Sequence, residues 1–228
     1  MIRNFKDLKR YQREDLAANG LARWRWWDRF GNPAIAFERK LRRTEFVLNT
    51  LTGPKWKFCR AYSKRSLRMS GLKLGFTIPP NVFGPGLSLP HWGTIVINPK
   101  CRVGARCRMH PGVSLGWHDG KVPKLGDDCY LGPGAKLYGG VVLGNKTKVG
   151  PNAVVCRSYP EGGAVLVAPR EYNVRQAVVE RKMVGIVERK AIQVKETASA
   201  QVIVNQIAAK RITSKRKTTT ASRKAGKK

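Results

Sequence analysis

A left-handed parallel β-helix is the fold predicted for residues 76–170, with a helical region before it (1–75) and a basic helical or disordered extension after it (171–228). Three observations predict it. An aliphatic residue recurs at every sixth position, the residue after it is often glycine, and a single short insertion separates two registers of the same period. The first register is Ile97, Val103, Met109 and Leu115; the second is Leu125, Leu131, Leu137, Leu143, Val149 and Val155. Between Leu115 and Leu125 the chain carries one repeat plus four residues, so a loop is expected around Trp117 to Gly120. A step of six suits a short strand and a tight corner, three to a coil, with the aliphatic side chains stacking inward and Gly or Asn accepting the corner angles. An ordinary sandwich with glycine-rich turns would not keep a strict period. Projected backwards from Ile97, the frame reaches His91, an imidazole where an inward aliphatic residue is expected.

Each flank has its own signals. Asn4 is placed to cap a helix running to about Ala18, with Asp7 at its positive end and Gly20 as a stop. Asn32-Pro33 starts a second helix, through Phe37, Leu41 and Leu48, which breaks at Gly53-Pro54; a third covers Trp56 to Met69. Between the first two, Trp24-Arg25-Trp26-Trp27-Asp28-Arg29 alternates indoles with cations. It reads either as a patch for nucleic acid or a membrane interface, or as indoles packed between helices with their arginines in solvent. Downstream, Val174, Val178, Ile192 and Ile203 give a mixed helical periodicity.

Composition bounds the function. The chain has 228 residues, 42% of them apolar, and 45 Lys+Arg against 14 Asp+Glu, for a net charge of +31. That describes a folded protein with a strong positive field. Most of the excess lies outside the repeats: +13 on residues 1–75, +7 on 76–170 and +11 on 171–228, where Lys210 to Lys228 hold nine cations and no acid. Such a tail reads as a solvated segment or as a contact for nucleic acid, an anionic lipid surface or an acidic partner. No run of about 18 apolar residues is present, and Met1 leads into a charged segment without the apolar stretch of a signal peptide, so a cytosolic location is expected. Cys59, Cys101, Cys107, Cys129 and Cys156 form no CxxC pair, so neither a metal site nor a disulfide framework is expected. Cys101 and Cys107, six apart, fall on equivalent positions of adjacent coil faces.

The segment from Lys73 to Arg170 resembles the serine acetyltransferase branch of the hexapeptide acyltransferases, a group that includes bacterial polysaccharide and surface-sugar acetyltransferases. The motifs that carry the likeness are Ile78-Pro79-Pro80-Asn81-Val82-Phe83-Gly84-Pro85-Gly86-Leu87, His91-Trp92-Gly93-Thr94-Ile95-Val96-Ile97-Asn98, Gly112-Val113-Ser114-Leu115-Gly116 and Leu131-Gly132-Pro133-Gly134-Ala135-Lys136. The resemblance implies acetyl transfer from acetyl-coenzyme A to a hydroxyl, in a homotrimer with sites between neighbouring prisms and a dimer of trimers through the N-terminal helices as a further possibility. It implies His91 as general base; an imidazole with an ordinary pKa near 6.5 takes an alcohol's proton near neutral pH. It places Gly116, Gly134 and Ala135 along the coenzyme groove, with Lys136 or Arg170 near the phosphates, and implies no metal.

Three departures bear on the acceptor. Pro90 precedes His91 where the family has an aspartate, Phe76 stands where a second aspartate orients the base, and the acceptor loop Asp-Arg-His-Pro-Lys becomes Gly120-Lys121-Val122-Pro123-Lys124. A cation remains at Lys121, and His110 and His118 offer polar groups near the loop. Lost charges that would hold the ends of serine favour a sugar hydroxyl, with serine the alternative. The reading from another class is a catalytically weak β-helix scaffold whose basic flanks bind nucleic acid or an anionic membrane.

Overall fold

The computed structural model describes residues 1–168; the expectations for the extension and tail, and for Arg170, lie outside the described residues. Four helices come first: α1 (Phe5–Ala18), a single turn α2 (Asp28–Gly31), α3 (Pro33–Thr50) and α4 (Lys57–Leu74). The Asp7 N–H donates to Asn4 Oδ1 at 2.8 Å, the cap the sequence predicts. Pro33 opens α3. The helix predicted from Trp56 to Met69 is α4, which runs to Leu74, five residues past Met69, and stops at Gly75 in the left-handed conformation (φ 77°). Gly71 does not end it, because that glycine is where α4 packs on the next strand: a Cβ there would lie 2.5 Å from the Phe76 carbonyl oxygen.

From Phe76 the chain winds about five turns of a three-sided parallel β-solenoid. The first face stacks Phe76–Thr77, Ile95–Ile97, Ser114–Gly116, Lys136–Tyr138 and Val154–Val155. Arg102–Val103, Lys124–Leu125 and Val142–Leu143 form the second face. The third holds Arg108–Met109, Tyr130–Leu131, Lys148–Val149 and Val165–Leu166. The predicted parallel coil is therefore present, and its register is the sequence's own. Ile97 pairs with Leu115 and Leu115 with Leu137, Val103 with Leu125, Met109 with Leu131, and all ten repeat positions are buried. Two residues before them runs a second inward column that includes Cys101, Cys107, Val113, Cys129 and Ala135. The buried cysteines are thus core atoms, and burial raises the Cys101 thiol to about 11.

Glycine and asparagine take positive φ at corners such as Gly86, Gly112, Gly134, Asn81 and Asn152, as expected, and one column departs from that pattern. Arg106, Asp128 and Lys146 stack in one corner column with φ between 54° and 59°. Each L-residue there costs about 1–2 kcal/mol of backbone strain, offset by N–H bonds climbing the column: Arg106 to Pro85, Asp128 to Ala105 and Lys146 to Asp127, each 2.8 Å. Arg106 also pairs with Asp128 one coil on, Nε to Oδ1 at 2.6 Å.

The frame corrects the place of His91. Ser88 bridges to Arg108, which sets Leu89 level with Met109, and Leu89 is buried. Leu89 is the inward residue of the third face. The chain then takes eight residues to reach Ile97 where the next coil takes six from Met109 to Leu115. His91 sits in the two-residue excess, at an exposed corner.

The solenoid's first coil has no coil before it, and buried side chains of α1 and α3 complete it. Asp15 accepts from the Gly86 and Leu87 N–H groups (2.8 and 2.9 Å), Glu38 from Leu89 (2.8 Å) and Glu45 from Asn81 (2.7 Å). Arg42, fully buried, donates to the Phe83 and Gly84 carbonyls (3.0 and 2.6 Å) and pairs with Asp15 and Glu45 (2.8 and 3.0 Å). Arg42→Met leaves two buried carboxylates without their cation and should cost about 3–5 kcal/mol, read by denaturant unfolding. Burial, reinforced by Asp15, holds the Glu38 carboxyl well above the usual carboxylate range. A carboxyl raised in the fold contributes stability below its unfolded pKa and loses it as pH rises through the folded one. Glu38→Gln should therefore gain on the wild type as pH rises from about 5 to 8, by about 1.4 kcal/mol for each pH unit between the unfolded and folded pKa values. A constant difference across that range would contradict this.

Candidate functional site

The corner between the third and first faces is built by Pro90-His91-Trp92-Gly93. Gly93 anchors it: its N–H donates 2.9 Å to the Leu74 carbonyl at the end of α4, its φ of 139° suits only glycine, and a Cβ would press on the Pro111 ring. Held at both ends, the excess residues push His91 and Trp92 outward; Trp92 is 63% exposed. The imidazole of His91 lies beside that of His110 one coil on (centroids 6.1 Å apart), and His110 lies against Tyr130 (5.3 Å). The sequence did not single out Tyr130. Its signal was available in the 22-residue step from Arg108, which aligns the two on the third face.

Two imidazoles in one exposed corner supply proton acceptors without a metal-binding set; among the described residues no cluster of three His, Cys, Asp or Glu side chains is placed to hold an ion. Partial burial, then the Arg108 guanidinium and then His91, hold His110 below the ordinary imidazole value. Among the described residues no carboxylate hydrogen-bonds His91, in keeping with Pro90 and Phe76 standing where the resembled family has aspartates.

Beside this corner a cleft of about 540 Å³ runs between the α1–α3 junction and the third face. Asn19, Asn32, Trp92 and Arg108 line it, and no carboxylate does. Its walls offer an indole face, the Asn32 amide and one guanidinium; the Asn19 amide is taken up by Asp15, Glu38, Leu87 and Ser88.

The other residues singled out by the sequence distribute unevenly. Gly134 lies one coil below His110 at the same corner (φ 73°), with Asn152 occupying the place of a Cβ. Ala135 faces inward and is fully buried, because it belongs to the second inward column; its methyl fills the core rather than an outer groove. Lys136 points outward from the first face and donates to the Gly112 carbonyl at 2.8 Å, so its ammonium is tied to the corner backbone. Gly116 ends a first-face strand beneath the Tyr138 ring, whose hydroxyl meets Ser114 Oγ at 3.1 Å.

Lys121 lies across the first face from His91. The four extra residues form a two-residue hairpin in which His118 and Lys121 exchange both backbone hydrogen bonds (3.0 Å). Asp119 and Gly120 take φ of 48° and 74° at its tip, the pair of positive angles a type I′ turn needs. His118 is exposed and pairs only with its neighbour Asp119 (3.3 Å). Within one chain, then, the structure joins His91 to His110 and sets Lys121 on the opposite edge.

The same repeat appears in comparison with known proteins. Residues 123–157 match the bacterial transferase hexapeptide family (six repeats). The serine acetyltransferase of Helicobacter pylori is 30% identical over 111 residues, covering 47% of this chain and 63% of that protein. That of Synechococcus elongatus is 31% identical over 115 residues, 48% of this chain and 47% of that protein. The chain thus spans about half to under two-thirds of these relatives' length. Among solved structures, serine acetyltransferase from Brucella abortus superposes with a TM-score of 0.56 at 20% identity, over 72% of this chain and 67% of that one. The Neisseria gonorrhoeae serine acetyltransferase gives 0.54 at 22% identity, over 75% and 70%. In repeat, in sequence and in fold, this chain is similar to the serine acetyltransferases within the hexapeptide-repeat proteins.

Proposed function

We propose that the protein is an acetyl-coenzyme A-dependent O-acetyltransferase whose general base is His91. The observation that carries this reading is the two-residue corner excess that turns an imidazole outward from an otherwise aliphatic register. In the reaction His91 removes the acceptor hydroxyl's proton as its oxygen attacks the thioester carbonyl. The tetrahedral oxyanion collapses, the C–S bond breaks, and the protonated imidazole returns a proton to the departing thiolate. Burial and the Arg108 guanidinium disfavour a positive charge on His110 beside the base.

The acceptor on this reading is a carbohydrate hydroxyl. The cleft at Trp92 supports it: a sugar's C–H face packs on an indole, its hydroxyls match the Asn32 amide and the Arg108 guanidinium, and no charged pair is needed. Serine would need partners for both its ammonium and carboxylate, and Arg108 supplies only the second. The distribution of residues supports a trimer. With prisms packed edge to edge, the hairpin bearing Lys121 on one copy meets the His91 corner of the next, so the site is complete only between copies. Lys121 then faces the acceptor, while Gly116, Gly134 and Lys136 flank the path of the coenzyme.

His91→Ala should leave folding intact, since the side chain is exposed, and lower thiol release from acetyl-coenzyme A by about 100- to 10,000-fold. Activity equal to the wild type would overturn the mechanism, and serine outperforming every sugar in a panel would overturn the acceptor. By NMR titration His110 should change protonation at lower pH than an ordinary histidine. Arg108→Gln should move that midpoint upward, because one of the two neighbouring positive charges is gone.

A further inference from the structure

Between the indole-rich loop and the helix pair α3 and α4 lies a second cleft, of about 590 Å³, the size of a small-molecule site. Five cations line it, Arg29, Arg39, Lys40, Arg43 and Lys73, and no carboxylate does. None of the five is in a salt bridge among the described residues, although the same region pairs Arg42 twice. Lys40 instead donates to the Ser70 hydroxyl at 2.5 Å. The Arg39 guanidinium lies over the Trp24 ring at 5.2 Å, and its buried Nε has no hydrogen-bond partner. Burial and the charge of Arg43 lower the affinity of Arg39 for its proton, the reverse of what a paired arginine shows. A buried donor left unpaired and like charges held together both disfavour the cleft as it stands, and one anion removes both penalties.

We infer that this cleft binds a phosphate ester, its oxygens taken by the guanidinium groups of Arg39 and Arg43 and the ammonium of Lys73. Phosphate suits the forked donors of arginine. The Trp24 and Trp26 indoles on the wall give a planar or apolar substituent a surface to stack on. The site is separate from the His91 corner and does not depend on the acetyl-transfer reading.

Phosphate esters reach a protein free in solution or on a lipid headgroup, and two probes separate these sources. Binding of the full chain to ADP is followed by titration calorimetry with saturating acetyl-coenzyme A present, and binding to phosphatidylglycerol vesicles by co-sedimentation against neutral phosphatidylcholine vesicles. ADP bound alone identifies a soluble ligand; vesicles bound alone identify a lipid. In whichever assay binds, Arg43→Gln with Lys73→Gln, both at exposed positions, should weaken affinity at least about tenfold. Lys124→Gln, on the second face of the solenoid, should not change it. Trp24→Leu should weaken ADP binding again. The inference fails if neither probe binds, if excess acetyl-coenzyme A abolishes ADP binding, or if the double variant binds like the wild type, which would assign binding to other basic residues such as those of 171–228.

Discussion

An open solenoid end is the constraint on which the rest of this structure depends. Every coil satisfies the backbone of the one before it, so the first coil exposes donors and acceptors that an apolar helix could not cover without leaving them unpaired. Here the cover is polar and partly ionic. Asp15, Glu38 and Glu45 take the N–H groups of Asn81, Gly86, Leu87 and Leu89, and Arg42 takes the carbonyls of Phe83 and Gly84. These side chains imitate a missing coil. Buried ion pairs seldom add stability over packed apolar groups, but at this junction they also perform backbone hydrogen bonding, which apolar residues cannot.

That junction also positions the chemistry. Because α1 and α3 are bonded to residues 81–89 and the end of α4 holds Gly93, the corner at Pro90 to Gly93 is fixed from both sides. The excess of two residues has no inward space to enter. It projects His91 and Trp92, and the cleft beside Trp92 forms where the helices meet the third face.

Charge follows the same division of labour. In the solenoid, outward cations such as Arg102, Arg108, Lys124 and Lys148 are spread over the second and third faces, and Arg106 is matched by Asp128. In the helical region three of the six acids, Asp15, Glu38 and Glu45, are buried inside the junction. Lysine and arginine outnumber the acids on the surface that remains. The indole-rich loop is correspondingly open: Trp26 and Phe30 are 63% and 73% exposed, and only Trp24 is tucked against a helix, so the packing of this cluster between helices is not what forms.

By itself the sequence determined the coil. Ten aliphatic positions in step, each followed by a corner, leave one way to bury them together, and the structure pairs Ile97, Leu115, Leu137 and Val155 accordingly. The helix caps were legible for the same reason, since Asn4 and Pro33 act within one turn of their own positions. His91 was visible as an anomaly but not as an exposed one, because a back-projected frame cannot see a two-residue excess until Leu89 is placed against Met109. The buried roles of Asp15, Glu38, Arg42 and Glu45 had no local signal at all: their partners are up to 72 residues away. Periodicity records what each residue does for its neighbours in the coil. Capping, the approach of His110 and Tyr130 to the corner, and the unpaired cations over Trp24 depend on contacts between elements, and only the tertiary structure decides which elements meet.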